Sequence, residues 1–70
     1  MTNELVQFWL EELGNPTEEK IEAEIKDVKG AIANEHIWEL GHNGKEPMNP
    51  HTQNIQVLEE YLEVLKEMLK

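Results

Sequence analysis

Two stretches of this chain repeat an apolar side chain at alternating intervals of three and four residues. Ile21, Ile25, Val28 and Ile32 form one series, and Ile55, Leu58, Leu62, Leu65 and Leu69 the other. A helix that turns once in about 3.6 residues gathers each series onto one face, a heptad seam that needs a partner of its own kind. Chain reversal between the two places Ile32 opposite Leu58, Val28 opposite Leu62, Ile25 opposite Leu65 and Ile21 opposite Leu69. All these layers close on one register. The pattern therefore predicts an all-α protein built on an antiparallel helical hairpin, over about 16–40 and 50–69.

Gly, Asn and Pro cluster only in "GNP" at 14–16 and "GHNGKEPMNP" at 41–50. These breakers bound the hairpin and cut off a short N-terminal helix at about 3–13. Thr2 or Asn3 suits its N-cap, and Gly14 its end. Asn15 suits the cap of the second helix, with Pro16 as its first residue, and Asn49–Pro50 repeats that device for the third. Gly30 lies inside the second helix, where a glycine costs about 1 kcal/mol relative to alanine. A close approach by another backbone would account for it. Gly41 is the expected stop. Val, Ile and Thr never alternate with polar residues as a strand requires. The 70 residues form one domain.

A chain of this length buries a thin core. Without cysteine it has neither disulfides nor thiolate metal sites. No basic leader with an apolar core opens it, and no apolar run is long enough for a bilayer. The expected setting is therefore soluble and cytoplasmic. Fifteen acidic residues stand against six lysines, with no arginine, for a formal net charge of −9. That excess argues against direct binding to nucleic acid or to an anionic membrane. It suits a basic protein partner, or solubility alone.

The third helix carries a second apolar stripe, Val57, Tyr61, Val64 and Met68. So wide an apolar arc touches more than one neighbour. Ile37 and Trp38 also point away from the seam, Trp38 by about 100°. Together they predict a homodimer packed as a helical bundle, with Trp38, Ile37, Tyr61, Val64 and Met68 as interaction residues. Trp9 is expected to pack between the first helix and the hairpin.

Where the second seam should continue past Ile32, it turns polar in "NEHIWELGH", residues 34–42. The register puts Glu35 opposite Ile55 and Glu39 opposite His51, with His36 beside them and His42 nearby. Glu35, His36, Glu39 and His51 are candidate ligands for zinc, iron or manganese. The simpler expectation is that they hydrogen-bond one another and set the hairpin register, with no metal or other cofactor. Nucleophilic catalysis lacks its usual residues, since serine and cysteine are absent and Thr2, Thr17 and Thr52 sit where caps belong.

Glu59, Glu60 and Glu63 form EExxE, and Glu24 and Asp27 form ExxD. The pair resembles the magnesium-binding pattern of MazG-like all-α nucleotide pyrophosphohydrolases. The order here is reversed, the chain is shorter than that core, and no cation is placed for substrate phosphates. The expected function is non-catalytic: a small acidic regulatory or accessory protein that binds another protein. The alternatives are an acidic mimic that inhibits a nucleic-acid-binding protein, and a metal-binding helical bundle.

Overall fold

A computed structural model describes residues 3–42 and 44–70 and contains three helices, α1 (Glu4–Leu13), α2 (Glu18–Gly41) and α3 (Pro50–Met68). No strand occurs among the described residues. Among the described residues, no helix is long and apolar enough to cross a membrane.

The helix ends follow local chemistry. Asn3 caps α1: its side-chain oxygen accepts from the Leu5 N–H at 2.8 Å. Its own N–H donates to the Glu60 carboxylate at 3.0 Å, tying the start of α1 to α3. The other candidate cap, Thr2, lies outside the described residues. Gly14 ends α1 with φ 70°.

At α2 the cap moves two residues. Thr17, not Asn15, holds it, with its hydroxyl accepting from the Lys20 N–H at 3.3 Å. Pro16 thus lies before the cap, and Glu18 and Glu19 occupy the first turn, where the helix dipole favours carboxylates. Both candidate caps have a suitable side-chain oxygen. The extended backbone of Thr17 brings its own within reach of the third helical N–H.

The second helix continues through Gly30 as expected, but no backbone approaches there: an added Cβ would meet nothing within 4 Å. Gly41 is still helical. The left-handed residue is Gly44, φ 75°, whose N–H donates to the Glu39 carbonyl at 2.9 Å and so closes the helix end. Asn49 and Pro50 start α3 as the sequence predicts.

The second and third helices pack on each other as a hairpin, and at its loop end the Glu39–Thr52 and Glu35–Asn54 bonds fall close to the expected register. Ile21, Val28, Leu62 and Leu65 are buried in one cluster with Val6 and Tyr61, and Ile25, Ile32, Leu58 and Leu69 pack around it. The short helix α1 leans on α3 and not on α2. It inserts Val6, which is fully buried, and sets Trp9 tilted against Tyr61 with ring centroids 5.2 Å apart. Trp9 therefore packs where expected.

Tyr61 does not serve as an exposed anchor. The second stripe of α3 is covered from within the chain, because α1 lies along it. Tyr61 is buried, Val57 and Val64 are partly buried against the core, and Met68 alone of the stripe stays exposed. That stripe no longer calls for a second copy. Burial pushes the Tyr61 hydroxyl above its usual pKa, and the nearby Glu24 carboxylate adds to the effect.

Candidate functional site

The loop end of the hairpin is built around Asn49, which is fully buried. Its side-chain oxygen accepts from the His51 N–H at 2.9 Å, the cap of α3. Its amide nitrogen faces three carbonyls at the end of α2: Gly44 at 2.7 Å, His42 at 2.8 Å and Glu39 at 3.2 Å. Two amide hydrogens are shared among them. One side chain thus finishes α2 and begins α3. The sequence marked Asn49 as a cap and missed the clamp. The available signal was chemical: among good N-cap residues, only asparagine also carries an amide donor.

Two polar groups flank this clamp. On one side Glu39 is buried and accepts a short hydrogen bond from the Thr52 hydroxyl, with His36 Nδ1 at 3.4 Å. The Thr52 bond holds the Glu39 carboxyl below the usual carboxylate range. Burial works against it, while His36 and the Lys45 charge help. Thr52 is therefore not a cap, as the sequence suggested, but the donor that makes a buried carboxylate tolerable.

On the other side His51 Nδ1 lies 2.7 Å from Glu35, and the Asn54 amide reaches the same oxygen at 3.5 Å. An ionised carboxylate only accepts, so Nδ1 carries the hydrogen. His51 was expected opposite Glu39. It reaches back one turn to Glu35 because Thr52, the next residue, already fills the place beside Glu39. No buried side-chain nitrogen or oxygen among the described residues lacks a partner.

This division bears on metal binding. Glu35, His36, Glu39 and His51 form two separate pairs rather than one convergent set, and no group of three possible ligands gathers among the described residues. His36 and Glu39 pair within α2, while Glu35 meets His51 and Glu39 meets Thr52 across the seam. A dent of about 180 Å³ beside His36, Glu39 and Thr52 is smaller than the range usual for ligand pockets, about 300–1,000 Å³.

Large apolar side chains are exposed at this end among charged ones. Trp38 is 54% exposed, Ile37 65% and Leu40 76%, and Met48 in the loop is also exposed. Ile37 and Leu40 lie three residues apart on α2, a spacing that brings side chains onto one face. The Trp38 ring lies tilted against the His51 imidazole, with centroids 5.8 Å apart, and Glu35 in turn bonds that imidazole. Leu40 and Met48 were not singled out from the sequence.

The acidic pairs EExxE and ExxD do not meet in one site. Glu60 binds the start of α1, Glu63 lies 3.9 Å from Lys66, and Glu24 and Asp27 line a groove beside α1. Compared with protein-family models, curated proteins and solved structures, the chain matches none.

Proposed function

We propose that this chain is a small, acidic, non-catalytic protein that acts by binding another protein, and that it pairs with a second copy of itself through the loop end of the hairpin. The observation that carries the reading is Trp38. A large aromatic ring, more than half exposed, lies against the His51 imidazole. Tryptophan is enriched among residues that dominate binding energy. A side chain already packed against a neighbour loses less freedom on association. Self-association covers this surface without a partner of different chemistry.

Sedimentation velocity over a range of concentrations tests the pairing. A reversible dimer is expected, lost in Trp38→Ala and Ile37→Glu while the circular dichroism stays helical. A monomer at every concentration, unchanged by either substitution, overturns it. A second reading has its own support. Glu11, Glu12, Glu18, Glu19 and Glu22 are all exposed around the turn between α1 and α2, a carboxylate array suited to a basic nucleic-acid-binding protein. Binding to such a protein that weakens steeply with added salt would favour inhibition by mimicry.

A further inference from the structure

A groove between α1 and α2 lies apart from the loop-end surface. It is open to solvent and holds about 430 Å³, and Trp9, Leu13, Val28, Ala31, Leu58 and Tyr61 form its apolar lining. It exists because α1 rests on α3 alone: no Cα of α1 comes within 8 Å of one in α2. The short connection through Gly14 and Pro16 turns the chain without bringing the two helices together. The volume falls within the range of about 300–1,000 Å³ common to ligand sites. It suits a few side chains better than a whole helix, whose diameter is about 10–12 Å.

The rim differs from the floor. Glu12, Glu24 and Asp27 stand around it with Lys20, on a chain of formal net charge −9. The floor favours apolar side chains and the rim favours cations. An amphipathic helix supplies both from one face, with apolar residues at helical spacing and lysine or arginine beside them. An extended peptide gains much of its affinity by pairing with a sheet edge, and no strand occurs among the described residues. A helix laid over the groove would touch both α1 and α2. It would complete a four-helix arrangement at the usual spacing of about 8–10 Å.

We infer that the groove between α1 and α2 binds the apolar face of a cationic amphipathic helix from a partner protein. Its apolar anchors meet Trp9, Leu13 and Leu58, and its basic residues lie opposite Glu12, Glu24 and Asp27. The inference rests on the reading of this chain as a binding protein, but it uses a surface separate from Ile37 and Trp38, so the two fail separately.

The probe is a fluorescein-labelled peptide of leucine and lysine, about 18 residues or five turns long, with leucines at helical spacing. Its counterpart has glutamate in place of lysine. The full chain is titrated into each, and anisotropy is followed. The lysine peptide binds and the glutamate peptide does not. Ala31→Trp, which fills the groove, weakens binding about tenfold, the size of one lost anchor. Glu24→Lys and Asp27→Lys weaken it more than Glu46→Lys, which makes the same charge change in the exposed loop at the far end. Circular dichroism checks each fold. If Ala31→Trp does not fold, the comparison of Glu24→Lys and Asp27→Lys with Glu46→Lys decides.

Absent binding of the lysine peptide overturns the inference. So does equal binding of both peptides, equal loss at all the charge reversals, or a folded Ala31→Trp variant that binds unchanged. Peptide binding lost with the dimer intact removes the groove alone. A dimer lost with peptide binding intact removes the loop-end pairing alone.

Discussion

At the open end of the hairpin, Ile21, Val28, Leu62 and Leu65 meet Val6 and Tyr61 in an apolar layer. At the loop end, the same seam buries Glu39, Asn49 and Thr52, which are the buried polar residues among those described. The two ends solve one problem by different means. The open end gains stability from area removed from water, which is non-directional and tolerates some repacking. The loop end exchanges water for specific partners. Each hydrogen bond there contributes little in net terms, but leaving one unmade is costly. Apolar layers give the hairpin its stability, while the polar end ties α2 to α3 through directional bonds.

The largest expected loss is at the open end. Leu65 is fully buried, and Leu65→Ala should cost about 2–5 kcal/mol through lost burial and the cavity left behind. Folded domains hold only roughly 0.05–0.15 kcal/mol per residue, so much of the total is at stake. Urea denaturation followed by circular dichroism measures it. A loss below 1 kcal/mol, on the order of a surface substitution, would mean that this layer is not the core.

The next loss probes the loop end. Asn49→Ala strips the cap and leaves carbonyls of α2 without a donor, at about 2–3 kcal/mol. Asn49→Asp sharpens the comparison, because aspartate is as good an N-cap as asparagine. Here its second oxygen would face the carbonyls of Glu39, His42 and Gly44 at the negative end of α2. Asn49→Asp should therefore be at least as destabilising as Asn49→Ala. If it is neutral, the cap is the only role of Asn49.

The ends should also part company with pH. The Glu39 carboxyl is held below its ordinary value of 4.5, so the folded state binds its proton less readily than the unfolded chain does. The stability this contributes is present above that value and lost as pH falls through the folded one. Tyr61 has the opposite sign. Its pKa is raised above 10.0, so its contribution is present below that value and lost as pH rises through the folded one. Denaturation midpoints measured against pH should show an acid limb that Glu39→Gln flattens and an alkaline limb that Tyr61→Phe flattens. An acid limb identical in Glu39→Gln would assign acid sensitivity to other carboxylates.

The smallest effect lies between the ends. Gly30 is exposed within α2, and an added Cβ meets nothing. Gly30→Ala should stabilise by roughly 0.5–1 kcal/mol, through backbone entropy and helix propensity. Gly44→Ala should do the reverse, since its φ of 75° is strained for any side chain. A Gly30→Ala variant that destabilises would indicate that this face of α2 is covered in an assembly.

The hairpin was legible in the sequence because heptad spacing and breaker residues act locally and repeat. The gathering of Ile21, Val28, Leu62 and Leu65 into one core needed only helical geometry. The caps at Asn3 and Asn49 and the positive φ at Gly14 were equally local. The polar cluster was legible as a place, but its pairings were not. Whether His51 meets Glu39 or Glu35 depends on which neighbour, Thr52 or His51, fills the space first, and periodicity does not encode that competition.

Three helices, a hairpin between two of them and an excess of acidic residues follow from spacing, local backbone chemistry and charge. The place of α1 follows from none of these. Its apolar face could have closed on α2 or left Tyr61 open to a second copy. Packing Val6 and Trp9 against α3 buried Tyr61, opened the groove beside α2 and left Trp38 exposed at the far end. A short helix joined by a short linker has several faces to choose from. The choice follows from the combined shape of side chains distant in the chain, which no single stretch of sequence carries.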